Sequence, residues 1–247
     1  MGCNSSAPAA EPGSKGAAAA KKGGKKGIIP TTIRWEYFQG FGRGDPLTQM
    51  FEYHGQPSEK TDLDFGGWET RKAQGDGGEF GGGLPQAFVQ IDGKTHRMAQ
   101  FGAILRSFGI RYGYYDPRDW KQARYIDPII DSWSDLQGKL AGVAFATTPE
   151  AKQSAFEAFL AFVGKFNGLV ESNLNHHGGK FIAGNSITVA DFVVAAYAAN
   201  YCLKNPMFEG SAPFTAALDA TPKTKAYATM IVQHLPNIAN RTQQYPF

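Results

Sequence analysis

A tyrosine near the end of an apolar segment could activate a thiol, and an arginine follows it six positions later. Tyr37 lies near the end of the apolar segment Trp35–Phe38, and Arg43 directly follows Gly42. A tyrosine hydroxyl has an ordinary pKa of about 10, so it remains a hydrogen-bond donor at neutral pH. Such a donor stabilises a thiolate and lowers the pKa of a thiol from its usual value of about 8.5. Taken alone, Tyr37 could equally be a strand tyrosine half-buried against a helix.

The residues around this pair have the periodicity of a small α/β unit. Ile33, Trp35 and Tyr37 alternate with polar residues, which indicates a strand. Apolar residues recur at helical spacing after Pro46, a residue that the first turn of a helix tolerates. Asp92-Gly93 is typical of a tight hairpin turn. The expected order is βαβ followed by ββα, with a strand over 31–38, a helix over 45–53, a strand over 59–65, a hairpin over 87–98 and a helix over 100–109.

The second half of the chain is expected to be entirely helical. Segments 116–144 and 150–172 both carry apolar residues at helical spacing. Thr188 and Asp191 open an apolar helix as a variant of the capping box, with Asp in place of Glu. His176 and His177 precede two glycines and are interpreted as a helix end. No metal site is expected, because no further Cys or His cluster accompanies them.

In this order and spacing, the residues from Trp35 to Gly109 resemble the glutathione-binding domain of a glutathione S-transferase. The resemblance is nearest to the sigma-like group, which has a catalytic tyrosine. Ile182-Ala183-Gly184-Asn185, followed by Thr188 and Asp191, resembles the folding signature of the helical domain of that family. The resemblance spans roughly residues 31–247. It implies an α/β plus all-α fold, with a thioredoxin-like domain over 28–112 and a C-terminal helical bundle over 113–247, and it implies a homodimer.

The resemblance also implies a role for each site residue. Glutathione would be the co-substrate, Tyr37 would activate its thiol and Arg43 would support Tyr37. A hydrophobic small molecule would enter the cleft between the domains. Trp68 and Lys72 could instead lie on a surface helical turn, and Asp127 could be a solvent-facing charge. Trp68 and Lys72 are expected at the glycyl carboxylate, and the backbone at a cis Leu84-Pro85 bond is expected along the peptide. Gln100 and the Phe101 N–H are expected at the γ-glutamyl end. Asp127 is expected to reach across to the glutathione of the partner subunit.

Two positions depart from the family pattern. Phe101 stands where the resemblance leads one to expect Ser or Thr, so a hydroxyl is missing and a ring is added beside the γ-glutamyl carboxylate. Loss of a hydrogen bond to a charged group costs about 1.5–3 kcal/mol, which is a weakening of roughly 10- to 150-fold. Gly83 stands where the family often has glutamine or lysine before Leu-Pro. The sequence therefore predicts a recognisable but weakened glutathione site.

The net charge is concentrated at the N-terminus. The chain carries +3 at pH 7, and residues 1–27 hold five lysines against Glu11, a net +4, which leaves −1 (3 − 4) for the remainder. A nucleic-acid partner is not expected of a nearly neutral folded part. Two cysteines, Cys3 and Cys202, favour a reducing compartment over a disulfide framework. No apolar run approaches the length needed to span a membrane.

The N-terminal 27 residues have the composition of a disordered tail with a lipidation signal. Gly2 and Ser6 fit the N-myristoylation pattern, and Cys3 could be palmitoylated. The cluster Lys21–Lys26 would add attraction to an anionic leaflet. These features predict a peripheral location on the cytoplasmic face of a membrane, because stable anchoring takes more than one signal. An ordinary flexible extension and a targeting peptide remain alternatives.

Two functions remain open from the sequence. The first is an enzyme that conjugates glutathione to a hydrophobic electrophile, or uses glutathione for isomerisation or peroxide reduction. The second is a non-catalytic, membrane-tethered relative that acts as a scaffold or binds a hydrophobic ligand. Phe101 and Gly83 favour the second. Tyr37, Arg43 and the pair Trp68 and Lys72 favour the enzyme.

Overall fold

The computed structural model describes residues 31–76, 83–203 and 211–239 of the chain. Its first part is a mixed sheet of four strands in the order β2-β1-β3-β4, where β1 pairs parallel to β2 and antiparallel to β3. The predicted order βαβ followed by ββα is confirmed. The strands are β1 (Ile33–Phe38), β2 (Ser58–Leu63), β3 (Gln86–Ile91) and β4 (Lys94–Ala99), and the helices are α1 (Asp45–His54), α2 (Phe65–Ala73) and α3 (Phe101–Tyr112).

Alternating side chains of β1 face opposite sides of the sheet. Ile33, Trp35 and Tyr37 are buried on the side covered by α1 and α3, where the rings of Phe51 and Phe108 meet edge to face with centroids 4.9 Å apart. Glu36 points to the other side and accepts a hydrogen bond from Arg71 of α2. The sheet therefore separates a packed apolar layer from a single helix held largely through polar side chains.

The segment 59–65 differs from the prediction of one continuous strand. Strand β2 ends at Leu63, and Asp64 caps a new helix because its carboxylate accepts a hydrogen bond from the Gly67 N–H at 2.7 Å. Phe65 is consequently the first residue of α2 and not the last residue of a strand. This change places an aromatic ring at the edge of the domain interface.

The second part is helical. It comprises α4 (Trp120–Ala144), α5 (Pro149–His177), α6 (Val189–Tyr197), a π-helical turn (Ala198–Leu203), α7 (Ala212–Asp219), α8 (Pro222–His234) and α9 (Pro236–Ala239). Every residue of α6 is buried, so this helix is the centre of the bundle. The predicted capping box is confirmed, since Thr188 and Asp191 cap one another at its start. Within the described ranges, no helix is both long and apolar enough to cross a membrane.

Hydrogen bonds tie the sheet-containing part to the helical part near Tyr37. The Arg43 guanidinium donates to the Ser134 carbonyl of α4 at 3.3 Å. The Asn200 amide in the π-helical turn donates to the buried carboxylate of Asp45, the first residue of α1, at 3.2 Å. These contacts fix α4 and the π-helical turn against the loop that follows β1, and a cleft opens beside them.

Candidate functional site

A largely apolar cleft of about 400 Å³ lies between the end of β1 and the C-terminal half of α4. Its walls are the loop after β1, the first residue of α2 and one face of α4. The lining residues are Tyr37, Phe38, Gln39, Gly40, Phe41, Gly42, Arg43, Phe65, Gln137, Leu140, Ala141, Ala144 and Phe145. Two of the predicted site residues, Tyr37 and Arg43, therefore lie together in one concave site.

The Tyr37 hydroxyl is held at this cleft by the main chain. Its oxygen accepts a hydrogen bond from the Arg43 N–H at 2.9 Å, which leaves its own proton free to be donated. Gly42 permits this contact, because a Cβ there would lie 2.5 Å from the Tyr37 oxygen and the residue has a φ of +33°. Burial raises the pKa of Tyr37 above its ordinary value, although the Arg43 N–H and guanidinium act in the opposite direction. The hydroxyl is therefore a neutral donor at neutral pH.

Lys60 is a site residue that the sequence analysis missed. Its ammonium donates to the carbonyls of Phe38 and Gly40 at 3.0 and 3.1 Å, and it lies 6.0 Å from the centre of the Tyr37 ring. It also pairs with Asp62. Lys60 thus fastens the loop that carries the Arg43 N–H to the neighbouring strand. The feature that could have indicated Lys60 is its register in the sheet, since Lys60 stands opposite buried Trp35 in the parallel strand pair.

Trp68 and Lys72 both lie on α2, a helix that the expected order of elements did not include, and their role at the glycyl carboxylate stays a prediction. Trp68 is buried, and the Arg71 guanidinium lies 5.6 Å from the centre of its ring. Lys72 is partly exposed and pairs with Glu69 at 2.6 Å. The ion pair of Arg71 with Glu36 at 3.1 Å ties the helix to β1, and its pair with Asp76 at 2.6 Å joins the helix to the turn that follows it. A cation and an indole are therefore presented by one helix.

The Leu84-Pro85 bond is cis, as the resemblance predicted. Gln100 precedes α3 with a φ of +71°, an unusual value for a residue other than glycine. Its side-chain nitrogen lies where a side chain at Gly83 would start, 2.7 Å from an ideal Cβ. A larger residue at Gly83 would have to move the flexible end of the Gln100 side chain.

Phe101 is placed differently from the prediction. Its side chain is only 2% exposed and belongs to the hydrophobic core. The ring therefore contributes almost no surface to an open subsite, and the expected obstruction of the γ-glutamyl carboxylate does not follow. The loss of a hydroxyl at this position remains.

Asp127 is engaged within its own chain. One of its oxygens accepts a hydrogen bond from Arg106 at 2.8 Å, and both accept from the Tyr115 hydroxyl at 3.1 and 3.0 Å. Arg106 also pairs with Asp131. These contacts tie α3 to α4, and the Asp127 side chain is still 35% exposed, so its role at the glutathione of a partner stays a prediction. The predicted homodimer stays a prediction.

A second layer of polar groups lies behind the cleft. The Gln137 amide, which lines the cleft, donates to the Tyr201 hydroxyl at 2.5 Å. Burial raises the pKa of Tyr201, which stands in the π-helical turn. Tyr201 is therefore a neutral partner that fixes Gln137. The predicted lipidation sites, Gly2 and Cys3, lie outside the described residues.

Comparison with known proteins relates both parts of the chain to one family. Residues 134–240 match the family model described as the glutathione S-transferase C-terminal domain. A probable glutathione S-transferase 5 of Caenorhabditis elegans is 26% identical over 214 residues, covering 85% of this chain and 95% of the relative. Glutathione S-transferase P 1 of Xenopus laevis is 25% identical over 156 residues, covering 63% of this chain and 70% of the relative.

The fold is found in solved structures of the same family. A glutathione S-transferase of the hookworm Necator americanus, described as monomeric, superposes with a TM-score of 0.68 at 24% identity, covering 88% of this chain and all of that one (100%). A Nu-class enzyme of Haemonchus contortus gives a TM-score of 0.62 at 25% identity, covering 87% of this chain and 99% of that one. The predicted fold class, a small mixed sheet followed by a helical domain, is confirmed.

Proposed function

We propose that this chain, a relative of the glutathione S-transferases, is a tyrosine-type glutathione transferase that attacks a hydrophobic electrophile with the glutathione thiolate. The observation that carries the proposal is the Tyr37 hydroxyl, which lies at an apolar cleft with its oxygen already satisfied by the Arg43 N–H. The hydroxyl proton is then available for an acceptor in the cleft. A sulfur anion is such an acceptor, and the neutral state of Tyr37 suits it.

The glutathione peptide would lie along the edge formed by α2, the cis bond and the start of α3. Lys72 and Trp68 supply a cation and an indole donor for the glycyl carboxylate. The backbone of Leu84 before its cis bond supplies peptide-like hydrogen-bonding groups. Gln100 and the N–H of Phe101 serve the γ-glutamyl end, where the positive end of the α3 dipole also favours an anion.

In this mechanism the chain's own residues lower the pKa of the bound thiol. Tyr37 donates its proton to the sulfur in a hydrogen bond without losing it, because its pKa lies above that of a thiol. The Arg43 guanidinium beside the tyrosine favours a negative charge there, and Lys60 holds the loop that positions the Arg43 N–H. The apolar walls exclude water, which strengthens these interactions at the sulfur. The electrophile then reacts at the thiolate and its leaving group departs into the open mouth.

Replacement of Tyr37 by phenylalanine tests this proposal. Tyr37→Phe should lower kcat/KM at pH 6.5 by about 10- to 150-fold, because a hydrogen bond to an anion contributes roughly 1.5–3 kcal/mol. The pH–rate profile should shift upward toward the free-thiol pKa of about 8.5. In the wild type, ionisation of Tyr37 should not reduce activity below about pH 10, because its pKa is raised.

The matched control is Tyr53→Phe, on α1 outside the cleft, which should leave the profile unchanged. A Tyr37→Phe variant with the rate and pH profile of the wild type would refute the assigned role. Glutathione affinity should be similar in the wild type and in Tyr37→Phe, since in this proposal Tyr37 contacts only the sulfur.

A non-catalytic ligand-binding role is the second candidate. Phe101 favours it, because the hydroxyl expected for glutathione is missing. The same apolar cleft would then bind a hydrophobic ligand without turnover. The absence of any glutathione-dependent reaction, together with retained binding of an aromatic ligand, would identify this role.

We also propose that the N-terminal tail anchors the protein through acylation at Gly2 and Cys3, as its sequence pattern indicates. Metabolic labelling with a myristate analogue should mark the wild type and not Gly2→Ala. Cys3→Ser should retain the myristate label but bind vesicles more weakly, because one acyl chain alone binds only marginally. Equal membrane fractionation of all three proteins would contradict the anchor.

A further inference from the structure

Helix α2 buries little apolar surface against the rest of the molecule. Trp68 is the one buried residue of this helix, whose nine residues are all described. The Phe65 ring stacks on Phe38, and the Arg71 guanidinium pairs with Glu36 of β1 at 3.1 Å. A helix with so little buried apolar surface gains little from the hydrophobic effect, so its position depends on the polar side chains around it.

Arg97 of β4 links the turn after α2 to the sheet. Its guanidinium donates a hydrogen bond to the Asp76 carbonyl at 2.5 Å and lies 3.7 Å from the Asp76 carboxylate. The Arg97 Nε donates to the side-chain oxygen of Gln86 at 2.8 Å. Gln86 is fully buried and its strand β3 pairs with both β1 and β4 there, so the sheet fixes one end of this contact.

The Asp76 carboxylate is shared between two arginines. One of its oxygens pairs with the Arg71 Nε at 2.6 Å, and the other faces Arg97. The Asp76 N–H donates to the Arg71 carbonyl at 2.9 Å, which joins Asp76 to the last turn of α2. Lys72 follows Arg71 in that turn. Arg97 therefore fixes the end of α2 that carries Lys72.

Arg97 and Tyr37 belong to opposite faces of the sheet. Glu36 and Gln86 stand opposite one another in the β1–β3 pair, and the Arg97 side chain contacts Gln86. Tyr37, the neighbour of Glu36 along β1, faces the other side. A change at Arg97 should therefore affect α2 and leave the Tyr37 hydroxyl in place.

We propose that Arg97 is a positioning residue for the glycyl end of glutathione, which acts through Asp76 to hold the end of α2 that carries Lys72. The inference rests on the proposed function and specifies how one of its subsites is built. Without the Arg97 contact, the ligand must itself order the end of α2, and this ordering lowers its affinity. The Asp76 and Arg97 side chains are 47% and 21% exposed, so the expected loss of about three- to tenfold lies between that of an exposed ion pair and that of a buried charged hydrogen bond.

The test compares glutathione with γ-glutamylcysteine, which has the same thiol and the same γ-glutamyl end but no glycine. Both are titrated calorimetrically into the full chain. The wild type should bind glutathione more tightly, because γ-glutamylcysteine lacks the glycyl carboxylate that Trp68 and Lys72 are proposed to bind. Arg97→Met, which keeps a long side chain, should weaken glutathione about three- to tenfold and leave the affinity for γ-glutamylcysteine unchanged.

Further variants assign the effect to the contact between Arg97 and Asp76. Arg97→Lys returns one charged donor and should recover part of the glutathione affinity. Asp76→Asn should also weaken glutathione selectively, and the double variant with Arg97→Met should lose less than the product of the two single losses, because both remove the same contact. Arg118→Met is the matched control, since Arg118 makes an exposed ion pair with Asp116, and it should change the affinity for neither ligand.

The outcomes separate this inference from the proposed function. Equal glutathione affinity in the wild type and in Arg97→Met would overturn the inference alone. An equal loss for both ligands would also overturn it, since that result would indicate general damage to the site. Equal affinity of the wild type for the two ligands would overturn the glycyl subsite and the inference together. Failure of glutathione to bind the wild type at all would overturn the proposed function as well.

Discussion

The Tyr37 hydroxyl owes its position to one main-chain donor and one neighbouring cation. The Arg43 N–H fixes the oxygen, and Lys60 fixes the loop that brings this N–H to it. The family resemblance predicted Tyr37 and Arg43 as a functional pair, whereas residue type alone left Tyr37 open. They could not predict that Arg43 acts through its backbone while its guanidinium reaches Ser134, because that depends on how α4 packs.

Lys60→Met should reduce catalysis at low pH more than at high pH. The change keeps the aliphatic stem but removes a cation near Tyr37 and two hydrogen bonds to the loop. Loosening of this loop weakens the hold of the Arg43 N–H on Tyr37, which then stabilises the bound thiolate less well, so the pH–rate profile should move upward while glutathione affinity changes little. The free energy of unfolding should fall by about 1–2 kcal/mol, since the lysine is partly exposed.

Lys225→Met is the matched control, because Lys225 makes an exposed ion pair with Asp219 on a distant helix. Its pH–rate profile and stability should be those of the wild type, as expected for a surface pair. Lys60→Arg should restore part of the low-pH activity by returning a hydrogen-bond donor to the loop. An unshifted profile in Lys60→Met would refute a role for this lysine in positioning Tyr37.

Phe101 shows why a residue type alone does not decide a binding site. The sequence correctly identified the missing hydroxyl but expected the ring to fill the carboxylate subsite. Burial of an aromatic ring contributes favourable free energy, and the ring has turned into the core at the start of α3. The direction of this side chain follows from packing and not from local sequence.

At the scale of elements, the start of α6 is held by a network of hydrogen bonds around one buried carboxylate. The Asp191 carboxylate accepts hydrogen bonds from the Ile182 N–H at 2.9 Å, from the Thr188 N–H at 2.6 Å and from the Thr188 hydroxyl at 2.8 Å, and the Tyr227 hydroxyl also donates to it. Asp191 thus connects α6, the preceding loop and α8. The pattern Thr-x-x-Asp predicted the cap, but the contacts with Ile182 and Tyr227 required the tertiary structure.

Asp191→Ala should destabilise the protein by about 3–5 kcal/mol. The change leaves two backbone N–H groups and two hydroxyls without their acceptor in a buried site, where each unpaired group is costly. Urea unfolding measures the loss. Asp131→Ala, which removes an exposed carboxylate paired with Arg106, should cost less than about 1 kcal/mol. Equal stability of the two variants would show that the Asp191 network does not hold the bundle.

The boundary between β2 and α2 illustrates the limit of periodicity. Leu63 and Phe65 have the alternation of a strand, so a strand to residue 65 was predicted. A single side-chain hydrogen bond from Gly67 to Asp64 begins the helix instead. Because this cap begins the helix at Phe65, the Phe65 ring lies at the mouth of the cleft and not in the predicted strand. There it contacts both Phe38 and Phe145.

At the scale of the whole molecule, the cleft exists because two parts of the chain are fastened together beside Tyr37. Arg43 bonds to α4, and Asp45 bonds to Asn200 in the π-helical turn. The order of the elements and the family resemblance predicted the two-part fold well. The shape of the cleft could not be predicted from the sequence, because it depends on side chains from β1, α2 and α4 that are distant along the chain.

Calorimetric titration of glutathione into the full chain tests the central claim most directly. The account predicts binding between micromolar and low millimolar, since the Phe101 ring is buried in the core and its N–H remains for the ligand, but no hydroxyl is supplied. Lys72→Ala should weaken it by at least about tenfold, because a cation for the glycyl carboxylate is lost. Lys225→Ala should have no effect. Absence of binding at about 10 mM, or equal affinity in Lys72→Ala, would contradict the assignment of this site to glutathione.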